Sequence, residues 1–204
     1  MEAAGHYTYF LVHVLTLIGP LSRSFEPRIR YVSKWKYLFP ALCVTAFFFL
    51  VKDYFFTKWG IWSFNPEYLS GVYLANLPVE EVLFFFTVPF ACVFIYEVLN
   101  LFVKKDVLGP YSKTISTLII AGCLVVGFSH LDKTYTVFYT FTTAIFLFLM
   151  QYIWKAPFMG RFYLAYLVHL FPFFIINGIL TALPVVMYNH LENLGIRIGT
   201  IPIE

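Results

Sequence analysis

The sequence predicts an all-α protein that threads a membrane several times and has almost no soluble part. Three observations predict it. Of the 204 residues, 60% are hydrophobic and only 12% charged, about half the charged share of a soluble domain. The apolar residues gather into six runs long enough, or nearly so, to cross a bilayer. Between the runs, basic residues alternate from dense to sparse. Lipid is the solvent such a chain needs, and backbone groups in lipid must bond internally. Each run is therefore read as a helix despite its many β-branched and aromatic residues.

The first run, residues 7–21, is the weakest, with His13 inside it and His6 just before. The second covers residues 35–56, the third 79–103, the fourth 115–128, the fifth 135–154 and the sixth 162–183. Ten of the fourteen basic residues fall in the loops after the first, third and fifth runs, from Arg23 and Arg28 to Lys155 and Arg161. The remaining four, Lys52, Lys58, Lys133 and Arg197, are assigned to the alternate loops. The positive-inside rule places the first set in the cytoplasm, and the N-terminus, the loop 57–77 and the tail 188–204 outside. The net charge of +3 includes no basic block, so no nucleic-acid partner is expected. Cys43, Cys92 and Cys123 lie in apolar runs without metal-ligand spacing and read as small buried hydrophobes. No metal site is expected. The N-terminus has neither a basic lead nor a small-residue cleavage site, so a signal peptide is not expected.

The chain also resembles itself. Displaced by 124 positions, Asp53 meets Asn177, Thr57 meets Thr181, Asn65 meets Asn189, Gly71 meets Gly195, Pro78 meets Pro202 and Glu80 meets Glu204. The second run then overlays the sixth, and the first overlays the fifth. The expected architecture is two three-helix repeats, residues 1–106 and 131–204, joined by a linking helix at 107–130. An odd linking helix makes the copies parallel, related by a pseudo-twofold axis along the membrane normal. The third run opens with LPVEE, and its counterpart IPIE stands at the end of the sequence. A seventh helix, absent from this chain, is inferred, with the second repeat lacking its last helix.

The chemistry-bearing segment is Pro78-Val79-Glu80-Glu81. Proline in a first helical turn forfeits no hydrogen bond, and glutamates there complement the helix dipole. An interfacial cap explains a single such motif. Its second appearance as Pro202-Ile203-Glu204, with matching upstream Asn and Gly, exceeds what a cap requires. Glu80 is the expected acid or base because it has the counterpart Glu204. The two are expected to form a carboxyl pair across the pseudo-twofold axis. Successive helical residues point about 100° apart, so Glu81 is expected to support Glu80. Asn65 and Asn189 sit equivalently in the outer loops, as turn formers or as amides orienting the glutamates. Asp53, Asn177 and the deep His169 are polar groups within apolar runs, which default to functional interest. Phe84, with its neighbours Phe85 and Phe86, offers aromatic faces to a cation.

LPVEEVLFFF followed later by GIRIGTIPIE resembles the lycopene cyclase domain family, the integral-membrane type found in many bacteria and fused to phytoene synthase in fungi. The resemblance spans essentially the whole chain. It departs at the C-terminus, where the family continues with a further acidic residue and an aromatic-rich helix. The resemblance implies conversion of the linear ψ-ends of lycopene into β-ionone rings, an isomerisation in carotenoid biosynthesis. An acid protonates the terminal double bond, the tertiary cation closes a six-membered ring, and a base removes a ring proton. It further implies a bilayer-borne carotenoid substrate, residence in a bacterial inner (cytoplasmic) membrane, and assembly with itself or with a partner subunit. Burial in hydrocarbon disfavours a charged carboxyl by up to about 4–7 kcal/mol, against about 0.3–1 kcal/mol in its favour from a helix N-terminus. A closed site therefore provides an acid. No dinucleotide fingerprint, phosphate loop or zinc spacing occurs, and no cofactor is expected. Two rival readings remain: a proton-coupled small-molecule transporter, and a non-catalytic subunit of a heteromeric cyclase.

Overall fold

A computed structural model of the chain describes residues 5–204; the start of the expected first repeat, residues 1–4, lies outside the described residues. Among the described residues six α-helices carry the fold: α1 (Thr8–Arg23), α2 (Trp35–Lys58), α3 (Val79–Phe102), α4 (Ser112–Ser129), α5 (Thr134–Phe148) and α6 (Met159–Ala182). A π-helical turn, Leu149–Ile153, extends α5. Five segments are long and apolar enough to cross a bilayer: Tyr31–Lys58, Val79–Phe102, Gly109–Ser129, Thr134–Ile153 and Met159–Ala182. This is an integral membrane protein. The expectation of six spans is met in five, because α1 has only 16 residues and a span needs about 17–25.

The exposure pattern inverts that of a soluble protein. Phe47, Phe48, Leu118 and Phe171 are 64–75% exposed, whereas Asp53, Glu80, Ser116 and Thr136 are wholly buried. Large apolar side chains meet lipid, and the interior collects the polar groups, which lipid cannot satisfy.

The segments after α2 and α6, expected as loops, contain three short antiparallel strand pairs among the described residues. They are β1 (Trp62–Phe64) with β4 (Val186–Tyr188), β2 (Tyr73–Leu74) with β3 (Leu77–Pro78), and β5 (Arg197–Ile198) with β6 (Ile201–Pro202). Pairing satisfies backbone groups that the helices do not. The bounds of α2, β1, β2 and β3 recur at an offset of 124 as those of α6, β4, β5 and β6. The β1–β4 pair is reciprocal: Trp62 faces Tyr188, Ser63 faces Met187, and Phe64 faces Val186. Asn65 N donates to Val185 O and Asn189 N donates to Ile61 O, both at 3.0 Å. A local twofold relation passes between Ser63 and Met187, in the manner of an isologous contact.

Polar ties join the helices inside. Tyr31 OH donates to Phe90 O at 2.8 Å. Ser116 Oγ meets Tyr163 OH at 2.6 Å, linking α4 to α6. The Arg161 guanidinium donates to Asn100 Oδ1 at 2.8 Å, to Val103 O at 3.2 Å and to Lys104 O at 3.1 Å. It thus holds the two carbonyls just past the C-terminus of α3, where a cation complements the helix dipole.

Close packing depends on small residues. A Cβ at Gly160 would strike the Gly109 backbone and the Asp106 carboxylate, whereas one at Gly122 would meet nothing within 4 Å. Backbone cannot yield as a side-chain tip can. Gly160→Ala is therefore expected to destabilise the fold by about 1–3 kcal/mol, and Gly122→Ala to leave it unchanged or slightly stabler. Thermal unfolding of the two detergent-solubilised variants checks this ordering.

Candidate active site

The turn before α3 delivers its acidic residues inward. Pro78 ends β3 with φ −65° and caps the helix, and Val79 N donates to Val72 O at 2.9 Å. Glu80 and Glu81 then fall in the first turn, with 0% and 4% exposure. Ser70 N donates to Glu80 Oε1 at 2.7 Å, and no donor reaches Oε2 among the described residues. The intervening loop turns at Gly71, whose φ is +82°.

α1 closes over this turn. His13 Nε2 meets Glu80 O at 2.9 Å. A carbonyl only accepts, so Nε2 carries the hydrogen and the ring is neutral when Nδ1 accepts from Thr87 Oγ1, 2.9 Å away. Tyr9 stacks on His13 with ring centroids 5.0 Å apart, and its hydroxyl donates to Glu81 Oε2 at 2.6 Å. On its other side Glu81 lies within hydrogen-bond reach of Asp53. Asp53, from α2, is ion-paired with the neighbouring Lys52 ammonium.

Lys52 is 8% exposed. Its Nζ donates to Tyr139 OH of α5 at 2.7 Å. It lies 4.5 Å from the Trp62 ring centroid, 5.0 Å from those of Phe56 and Tyr139, and 5.8 Å from those of Phe49 and Phe138. Such faces stabilise a desolvated cation by about 2 kcal/mol. The assignment of Lys52 to an outer loop is therefore corrected: it sits in a buried aromatic cage, where those rings and Asp53 replace water. Beside it, burial and the Glu81 charge push the Tyr188 phenol up, so it stays protonated.

The second half repeats part of this arrangement. Leu194 N donates to Glu204 Oε1 at 2.6 Å, as Ser70 N does to Glu80, and Gly195 turns with φ +73°. Thr136 Oγ1 also donates to Glu204 Oε1, at 2.8 Å. No hydrogen bond joins Glu80 to Glu204 among the described residues. Glu80 is held by its own loop, Glu204 by its own loop and by Thr136 of α5, and the carboxyl that Glu81 faces is Asp53.

The remaining expected residues divide. Asn65 Oδ1 accepts from Glu67 N at 3.1 Å and Asn189 Oδ1 from Leu191 N at 3.0 Å, so both brace their own turns. His169 Nε2 donates to Cys92 O at 2.9 Å, tying α6 to α3. Asn177 Nδ2 donates to Phe173 O at 3.3 Å. Phe84 stands edge-on to His13 with centroids 6.5 Å apart. Tyr9, His13 and Lys52 were not singled out from sequence. The signal available was a polar group in an apolar run.

Below the carboxyls, α1, α3 and α6 line a half-open apolar chamber of about 920 Å³, with Thr16, Val88, Cys92, Phe162, His169 and Phe173 among its walls. Along α6 the lining runs from Phe162 to Asn177, about 22 Å at the helical rise. Glu81 falls on the same face of α3 as Val88 and Cys92, at heptad spacing and about 10 Å above Val88. Phe84 and Ile176 pack on Tyr9 and Val12 between chamber and carboxyls.

An apolar helical bundle whose interior holds carboxyls, a lysine and tyrosines above a greasy chamber is an integral membrane protein with its polar chemistry inside. Its sequence matches the lycopene cyclase family over residues 6–99 and 132–204, most of its length. The chain belongs to that family, and carotenoid cyclisation is the function the family supports. No curated protein and no solved structure matches the chain.

The hydrogen bond from Ser70 N holds Glu80 only if the loop keeps its left-handed turn. Gly71→Ala leaves space around the new methyl but imposes a backbone cost of about 1–2 kcal/mol. Reduced thermal stability, with Gly71→Asn milder than Gly71→Ala, is the expected result of a melting series.

Proposed function

We propose that this chain is a lycopene β-cyclase that converts the linear ψ-ends of lycopene into β-ionone rings by protonation, ring closure and deprotonation. The observation that carries the reading is the set of fully enclosed carboxyls above an apolar chamber. Substrate and product are hydrocarbons that partition into the bilayer, and a chamber lined by Val, Phe and Pro side chains suits them better than the polar solutes a transporter passes.

Glu80 acts as the acid. Its Oε1 is fixed by Ser70 N and its Oε2 is left to carry the proton. That proton passes to the terminal carbon–carbon double bond. The adjacent internal double bond attacks the tertiary cation and closes the ring. A carboxylate of the Asp53–Glu81 pair then removes a ring proton and restores neutrality. Glu81 returns a proton to its neighbour Glu80, so nothing is consumed. Exclusion of water keeps the cation from being captured as an alcohol. Phe84, on the substrate's path from chamber to carboxyls, offers it an aromatic face. Glu204 holds the place equivalent to Glu80 in the second half, and His169 and Asn177 flank the polyene.

The two halves are read as parallel copies of one three-helix unit, residues 1–106 and 131–204, joined by the linking helix at 107–130. The matched element bounds and the reciprocal β1–β4 pairing support that reading. The N-terminus and the strand pairs face outside, and the membrane is the inner membrane of a bacterium, where its own copies or a partner subunit associate with the chain.

Lycopene-accumulating bacterial cells test the proposal. Expression of the chain is expected to replace red lycopene by γ- or β-carotene. Glu80→Gln, which keeps shape and removes the acid, is expected to lower conversion by about 10²–10⁴-fold at equal membrane abundance. Unaltered pigment with a fully accumulated wild-type chain overturns the cyclase reading.

A further inference from the structure

Lys52 is not accounted for by the acid alone. A buried lysine is costly unless paired, and this one sits where the halves of the protein meet. Phe49, Phe56 and Trp62 come from α2 and β1, and Phe138 and Tyr139 from α5. The groups around it are few: Asp53 beside it, Glu81 beyond Asp53, and the phenols of Tyr9, Tyr139 and Tyr188. That makes one cation facing two carboxyls. Neither Asp53 oxygen accepts a hydrogen bond of normal geometry, and Asp53 and Glu81 face one another. Two carboxyls in contact need a proton between them, and a cation in contact needs a negative charge. Electroneutrality in apolar surroundings meets both demands with one proton and one charge on the pair.

We propose that Lys52 is a positioning residue that supplies the site with its base, holding one carboxyl of the Asp53–Glu81 pair ionised so that it can take the ring proton. The role rests on the cyclase reading; the charge count does not. The proton balance closes. Glu80 loses a proton to the alkene, the pair gains one from the ring, and transfer from Glu81 to Glu80 restores the start. Without the ammonium, both carboxyls of the pair hold protons and the cation has no base to give its proton to.

The test pairs infrared spectroscopy of the purified full chain in lipid nanodiscs with pigment conversion in cells. The infrared readout is the carbonyl stretch of neutral carboxyls. Lys52→Met is expected to gain the intensity of one neutral carboxyl over wild type and to lose conversion by about 100-fold or more. Lys52→Arg is expected to keep the wild-type band and to retain conversion. In Lys52→Met with Asp53→Asn both charges leave together. The band is expected to match wild type, with conversion still lost because no base remains. A counter-charge needed only for folding predicts the opposite, recovery of conversion in that double variant, and such recovery overturns the proposal. So does a Lys52→Met band equal to that of wild type. If Lys52→Met does not accumulate, the double variant decides by conversion, and Glu81→Gln decides by its band. Loss of one neutral carboxyl there supports the shared proton, and an unchanged band refutes it. A wild-type chain that forms no rings sinks the cyclase reading, while the infrared comparison still decides how Lys52 charges the pair.

Discussion

Placing Asp53, Glu81 and Lys52 out of reach of water, inside a bundle whose surface is hydrocarbon, sets the terms for everything around them. An uncompensated charge there costs several kcal/mol, so the surrounding elements supply partners. α2 brings the ammonium next to the carboxylate, α1 brings the Tyr9 hydroxyl to Glu81, and α5 brings Tyr139 to Lys52. The short helix α1, too short to be an obvious span, is packed in place by this demand. Its Tyr9 and His13 are 1% and 3% exposed, although the outward face of the helix is largely bare.

The strand pairs solve a second problem with the same economy. Segments that follow membrane helices must satisfy their own backbone, and those after α2 and α6 do so by folding on themselves or on each other. The self-paired turns β2–β3 and β5–β6 end at Pro78 and Pro202, which place the following glutamates so that a backbone N–H ten residues upstream reaches each carboxyl. The reciprocal β1–β4 pair clamps the two halves, and Trp62 on β1 also forms a wall of the lysine cage. Joining the halves and housing the buried cation are thus done by the same residue.

Much of the frame was legible in the chain. Five of the six apolar runs became helices of spanning length, since lipid leaves no alternative to a helix for an apolar run of that length. The Pro-x-Glu signature marked the acidic turn, because proline and glutamate at a helix start follow local rules. The offset of 124 was visible as matched Asn, Gly, Pro and Glu, and the element bounds share that offset. What was left open or misjudged depended on the folded surroundings. Asn65 and Asn189 read equally as turn formers or as partners for the glutamates, and only the structure shows that their nearest donors are two residues on. Lys52, at the end of an apolar run, had the appearance of an interfacial charge.

The sequence alone determined the solvent of the protein, five of its long helices, the acidic turn and the family, because each follows from composition, run length or a short contiguous motif. Only the tertiary structure decided which carboxyls meet. Helical periodicity places Glu80 and Glu81 on different faces but does not say what stands opposite either one. Tyr9 lies 72 positions from Glu81, and Tyr139 lies 87 from Lys52. Contacts at such separations are set by how the helices pack around a buried charge.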